Sequence, residues 1–407
     1  MRQKNRSGNP VPSGGAPTKP TRGQGWHGRL GAATMVVALA AAPQFAAAAE
    51  GLSHAAIGKI GNTARHLITD GCSPGVSVAV VRNDHLLFAK AYGTENLETG
   101  TPATTTTVFR IGSITKEFTS AAIMLLAQNG KLSIDDQVSK YVPELGPAGP
   151  LTIRMLLGQT SGLHEFTNTP ASAITILKRH TTKQMIDFIA AMKPLTDFKP
   201  GTKWAYSNTN YYVLGAIVER VSGMSLGKFL EKNVIAPAKI KSTMVDHEAD
   251  VVLNRASGYA ALAGQSAKYR NAPYFSIDDA GGAGALRSTA SDLARWQQAL
   301  FNGRVVNSSS LALMTSPARL SDGTVAVRRD APITLGPPDY GFGLELGSLD
   351  GIKAIGHAGA VPGFTAYLVT FPSIDMTLAI LTNGQHTKNL AEAFQEIERD
   401  VLHDVQN

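Results

Sequence analysis

Cys72 is the only cysteine in 407 residues, so no disulfide can form within the chain and the fold must rest on its core. Long hydrophobic runs are missing too. The most apolar stretch, "LGAATMVVALAAAP" from Leu30, falls short of the ~20 residues that a membrane span needs. The histidines are scattered, with no His-Glu-x-x-His or comparable spacing, which argues against a metal site. Acidic residues are absent before Glu50, whereas Arg2, Lys4, Arg6, Lys19, Arg22 and Arg29 are basic, which leaves +1 of the formal charge of +7 for the rest of the chain. Nothing in that balance favours nucleic acid or an anionic membrane as a partner.

What the N-terminus does contain is a leader pattern. A basic, Pro/Gly-rich stretch precedes the short apolar run, and the small-x-small pair Ala47-x-Ala49 precedes Glu50. The expectation is a secretory signal peptide over residues 1–49, exporting residues 50–407 to the periplasm or the exterior. An uncleaved anchor, which would tie the protein to a membrane, is the alternative. No twin arginine is present in the segment, which favours a general export route.

The whole chain is 43% hydrophobic, and the part after Ala49 is long enough for one large core. After Gly75, "VSVAVVRNDHLLFAKAYG" reads as an antiparallel hairpin turning at Arg82-Asn83-Asp84. Near the other end, "GIKAIGH", "FTAYLVTFP" and "MTLAILTNG" read as three more strands, and "KNLAEAFQEIERDVLHDV" as a helix carrying Leu390, Phe394, Ile397 and Val401 on one face. Between Ile114 and about Leu300 the periodic stretches are helical: "SAAIMLLAQNG", "TIRMLLGQ", "TKQMIDFIAAM", "NYYVLGAIVERVSG" and "ASDLARWQQALFNG". No Ser- or Pro-rich linker and no internal repeat interrupts them. The expected fold is α+β: an antiparallel sheet flanked by helices, with a mostly helical lobe over roughly residues 114–300 inserted in it.

Three serines compete as nucleophile. Ser73 in "GCSPG" matches Gly-x-Ser-x-Gly, but a helix-like segment precedes it and a strand follows, the reverse of a nucleophile elbow; it reads as a turn residue. Ser225 in "GMSLGKFL" lies between two helices and reads as an N-cap. Ser113 in "FRIGSITKEFTS" opens a helix whose Ile114, Phe118, Ala121, Ala122 and Leu125 are apolar, and Lys116 shares its face three residues on. A desolvated amine near the helix start has a lowered pKa and can take the serine's proton, while the serine N–H is free to face an oxyanion. The same motif fits an N-cap serine beside a solvated lysine.

Two further stretches tip the balance. "KPGTKWAYSNTNYYVLGAIVE" places Tyr206-Ser207-Asn208 in a polar turn before a helix, and "AIGHAGAVPGF" places His357-Ala358-Gly359 at the end of a strand. Together, in this order, they resemble the penicillin-recognising serine hydrolases: class C β-lactamases, D-alanyl-D-alanine carboxypeptidases and related esterases. The resemblance runs from about Leu52 to Val401 and includes "PGVSVAVV", "LLGQTSGL", "GGAGALRSTASDLARW" and "YGFGLEL". It implies Ser113 as acylated nucleophile, Lys116 as its proton partner and Tyr206 as second member of the acid–base pair. It implies that Asn208 binds the substrate amide, that His357 and Gly359 form the strand wall, and that the N–H groups of Ser113 and Ala360 make the oxyanion hole. No metal or organic cofactor is implied.

Departures narrow the branch. His357 stands where class C β-lactamases have Lys, which is closer to the carboxypeptidase and esterase branches, and no Ser-Asp-Asn motif supports a class A enzyme. Gln159 stands where relatives often have His and reads as a structural change. The expected function is an exported acyl hydrolase, D-alanyl-D-alanine carboxypeptidase-like, acting on a small molecule or peptide. The alternatives are a β-lactamase or carboxylesterase of the same fold, or a silent penicillin- or cell-wall-binding protein.

Overall fold

The structure, a computed structural model, describes residues 51–168, 179–262, 268–327, 339–385 and 388–406. The expected leader, residues 1–49, lies outside them.

The chain begins with α1 (His54–Thr69), capped by the Ser53 side chain, and then forms the hairpin β1 (Gly75–Arg82) and β2 (His85–Asn96) and the short β3 (Thr101–Pro102). The hairpin turns at Asn83 and Asp84, whose φ values of 50° and 62° are the left-handed conformations that Asn and Asp tolerate and a tight hairpin turn needs. The last third returns as β9 (Asp339–Tyr340), β10 (Glu345–Leu349), β11 (Ile352–Val361), β12 (Phe364–Phe371) and β13 (Met376–Thr382). These join into one eight-stranded antiparallel sheet in the order β3-β2-β1-β13-β12-β11-β10-β9. The pairing of β1 with β13, Ala79 opposite Ala379, closes the two chain-distant halves into one sheet.

The central strands β1, β12 and β13 are buried on both faces, and alternation along them assigns the residues to two cores. Val76, Val78, Val80, Leu378 and Ile380 face α1 and the C-terminal helix α9 (Lys388–Gln406), whose Leu390, Phe394, Ile397 and Val401 lie in the same cluster. Each such side chain contributes ~1.5–3 kcal/mol on burial. Ala79, Val81, Ala379 and Leu381 face the opposite way, into the larger core shared with α2 (Thr115–Gln128) and α8 (Ala290–Phe301), where Phe118 stacks on Trp296 at 3.8 Å.

Everything between β3 and β9 is an excursion from the large sheet. It includes α3 (Ile153–Leu157), α4 (Thr182–Ala190), α5 (Asn208–Ser222), α6 (Leu226–Leu230) and α7 (Gly281–Gly284). It is not wholly helical. β4 (Phe109–Arg110), β5 (Met244–Val245) and β8 (Leu286–Ser288) make a three-stranded sheet, and β6 (Tyr259–Ala261) pairs with β7 (Tyr269–Asn271). These strands hold two or three residues each, too few to show a period of two in the sequence. The architecture is nevertheless the expected α+β arrangement of an antiparallel sheet, flanking helices and an inserted, mostly helical lobe.

Candidate active site

Ser113 does not sit in the regular helix. It occupies a short 3-10 turn, Gly112–Ile114, and α2 begins at Thr115 with no side-chain cap at its start. Gly112 makes the turn possible, because its φ is +51° and an added Cβ would lie 2.7 Å from the Ala360 nitrogen. The Ser113 hydroxyl is therefore not spent on capping. Its Oγ accepts from Lys116 Nζ at 2.9 Å and from the Tyr206 hydroxyl at 2.8 Å. The rival serines behave otherwise: Ser225 caps α6 by accepting from the Lys228 N–H, and buried Ser73 donates to the Gly75 carbonyl at 2.8 Å.

Lys116 is fully buried, with Nζ aimed at three acceptors: Ser113 Oγ, Asn208 Oδ1 at 2.8 Å and the Ala283 carbonyl of α7 at 2.8 Å. Burial pulls its pKa from 10.5 to about 7, against the opposing pull of the Glu165 and Glu345 carboxylates. The free amine is therefore well populated near neutral pH. Burial drives Tyr206 the other way, well above the ordinary tyrosine value, and the same two carboxylates reinforce that shift. Its phenol thus stays protonated while its ring lies 4.8 Å from Nζ. One environment thus leaves the lysine able to accept a proton and the tyrosine able to donate one.

Tyr206 is fixed by its neighbours in sequence and space. The Gln159 carbonyl accepts from the Ala205 N–H, and the Gln159 side-chain oxygen accepts from the Ser207 N–H, both at 3.0 Å. Gln159 thus clamps the chain on both sides of Tyr206. Tyr340 and His357 flank the ring, each 6.3 Å away between centroids, and Trp204 packs on Tyr340 in turn at 5.8 Å. Asn208 opens α5, and Glu165 accepts from both its backbone N–H and its side-chain amide.

The third stretch differs from its expected position. His357 lies in the middle of the ten-residue β11, and only Gly359 and Ala360 approach its end. Ala and Gly weaken the strand signal beyond His357, but the ladder to β12 carries it on, with Ala360 opposite Thr365. Gly359 is where β11 meets the Ser113 turn. A Cβ there would fall 2.0 Å from the Ile111 carbonyl oxygen and 3.1 Å from the Ser113 nitrogen. The Ser113 and Ala360 nitrogens consequently flank one narrow junction. The buried His357 ring has Nδ1 against the Ala358 carbonyl, which can only accept, so Nδ1 carries a proton; Nε2 lies 3.1 Å from the Tyr340 hydroxyl.

The structure therefore brings Ser113, Lys116, Tyr206 and Asn208 into one hydrogen-bonded cluster, with Gly359 and Ala360 against the serine turn and His357 beside Tyr206. Sequence reasoning missed Glu165, Gln159, Ala283 and Tyr340 as members of the site. Three of these lie inside stretches singled out by pattern; Glu165 has no local signal, because its partner Asn208 is 43 residues away.

A chain with this fold and this cluster is a serine hydrolase of the penicillin-recognising type. The Beta-lactamase family profile matches residues 60–401, and the chain belongs to that family. It is 27% identical over 338 residues to penicillin-binding protein 4* of Bacillus subtilis, covering 80% of this chain and 72% of that protein. It spans only 61% of the length of the Staphylococcus aureus relatives named Protein flp. Among solved structures it is similar to the octameric penicillin-binding protein homologue from Pyrococcus abyssi (TM-score 0.72, 27% identity, covering 85% of this chain and 77% of that one). It is also similar to D-amino acid amidase from Ochrobactrum anthropi (TM-score 0.71, 25% identity, covering 86% and 99%).

Proposed function

We propose that this protein is an exported D-alanyl-D-alanine carboxypeptidase-like hydrolase that acts through an acyl-enzyme on Ser113. The observation that carries the reading is Ser113 Oγ held between a buried amine of lowered pKa and a buried phenol of raised pKa. In the forward step the Lys116 amine takes the hydroxyl proton as Oγ bonds to the substrate carbonyl carbon. The oxyanion so formed faces the N–H groups of Ser113 and Ala360. Collapse breaks the bond to the leaving group, which receives its proton from the Tyr206 phenol, and the proton on Lys116 restores the phenol. Water then repeats the sequence on the ester and frees Ser113. Asn208 Oδ1 accepts from Lys116 and holds the amine in line; when substrate displaces that contact, its amide can meet the substrate's own.

A D-amino-acid acyl group is favoured by the likeness to D-amino acid amidase, and the likeness to a penicillin-binding protein makes penicillin a second probe. The test compares a peptide ending in D-alanyl-D-alanine, its L,L counterpart, a chromogenic ester and penicillin, reading turnover and acyl-enzyme mass together. Turnover of the D,D-peptide without the L,L counterpart is expected. Turnover of the ester alone would place the protein with the esterases, and sustained turnover of penicillin with the β-lactamases.

A further inference from the structure

Resting on that reading, we propose that Glu165 is a positioning residue for the reaction: through Asn208 it fixes the amide that aligns the Lys116 amine, and its charge holds the amine's proton. The carboxylate is built into place. Its Oε1 accepts from the Thr167 N–H at 2.9 Å and the Thr167 hydroxyl at 2.6 Å, and Oε2 accepts from the Asn208 N–H at the first residue of α5. Oε1 also faces Asn208 Nδ2 at 3.4 Å, while Asn208 Oδ1 accepts from Lys116 at 2.8 Å.

That arrangement admits one orientation of the Asn208 amide. Flipped, it would set an NH₂ group against the lysine amine and an oxygen against the carboxylate, losing both contacts and opposing like dipoles. Glu165 is thus the group that tells Asn208 which way to face. Asn208 in turn supplies one of the three acceptors that place Nζ beside Ser113 Oγ.

The electrostatic part has the same geometry. The titratable groups facing Lys116 are the carboxylates of Glu165 and Glu345 and the phenols of Tyr206 and Tyr211. Glu117, next in sequence, points away onto Trp296 and Gln297. Glu165 is the larger of the two carboxylate influences on Lys116 and opposes the lowering by burial. Without it, the amine loses its proton at lower pH.

The test measures the rate of Ser113 acylation against pH by intact mass, normalised to the protein that becomes acylated, so that misfolded molecules drop out. Glu165→Gln, which keeps the shape and loses the charge, is expected to slow acylation tenfold or more and to move the acidic limb of the profile to lower pH. Glu165→Asp, which keeps the charge at a shorter reach, is expected to slow acylation with the limb close to that of the wild type. An acidic limb of Glu165→Gln at the wild-type position, whatever its rate, overturns the proposal, because a merely structural contact changes rate without moving the limb. Failure of the underlying reading shows itself differently, as acylation that survives Ser113→Ala.

Discussion

What each hydroxyl does favours Ser113 over the other two serines as the proposed nucleophile. Ser225 and Ser73 bond to backbone near themselves, while Ser113 bonds to two titratable side chains. Ser113→Ala should lower turnover by ~10⁶, the scale of losing a nucleophile, whereas Ser225→Ala and Ser73→Ala should leave it near wild type in steady-state assays. In the proposed mechanism Lys116 and Tyr206 share one proton path, so the loss of either disables it. Lys116→Ala and Tyr206→Phe should each cost ~10²–10⁴ in rate, and the double variant little more than the worse of them. Losses that multiply would show that the two residues act separately. The acidic limb of the wild-type profile should fall near pH 7, where Lys116 gives up its proton with rising pH and becomes the base. A rate independent of pH from 5 to 9 would rule out proton transfer to the lysine.

At the scale of elements, the site is a junction between α2, the start of α5 and β11, and each was legible for a different reason. The apolar face of α2 and the short, largely apolar runs of β12 and β13 are strong signals, and all three elements are buried in the structure. The 3-10 turn holding Ser113 was not legible, since it depends on β11 pressing against Gly112 from more than two hundred residues away. The role of Gln159 is of the same kind. Its side chain looked like a structural change in a motif, and only the fold shows that it brackets Tyr206. The closeness of β11 gives a direct test. Gly359→Ala places a methyl group on the Ile111 carbonyl, and relief by backbone movement should cost about 1–3 kcal/mol of stability. Because the movement parts the Ser113 and Ala360 nitrogens, the acylation rate should fall even where the variant is fully folded, as judged by melting temperature and single-turnover kinetics on one sample.

Across the whole molecule, buried acids set a pH dependence separate from catalysis. Burial raises Glu117 from 4.5 to about 8 and does the same to Glu398, which accepts from the Tyr367 hydroxyl at 2.9 Å between α9 and the sheet. Between pH 4.5 and 8 the folded chain therefore holds more protons at these two sites than the unfolded chain. Their contribution favours folding below pH 4.5 and is lost as pH rises to 8. Lys116, lowered to about 7, works in the opposite direction above that pH. Glu398→Gln should flatten the fall in melting temperature from pH 5 to 8, and an unchanged slope would show that this carboxyl ionises freely in the folded protein. Among the described residues no helix is long and apolar enough to cross a membrane. The expected cut after Ala49 is checked by N-terminal sequencing of the protein recovered from its native cells, which should begin at Glu50; a start at Met1 would contradict the leader.

The most direct measurement on the central claim is peptide mapping of the covalent adduct formed when the protein is quenched during turnover of a chromogenic ester or a D-amino-acid substrate. The acyl group should be found on the peptide containing Ser113 and nowhere else, and Ser113→Ala should yield no adduct. An adduct on another residue, or hydrolysis with no adduct at any quench time while Ser113→Ala keeps its rate, would contradict nucleophilic catalysis by Ser113.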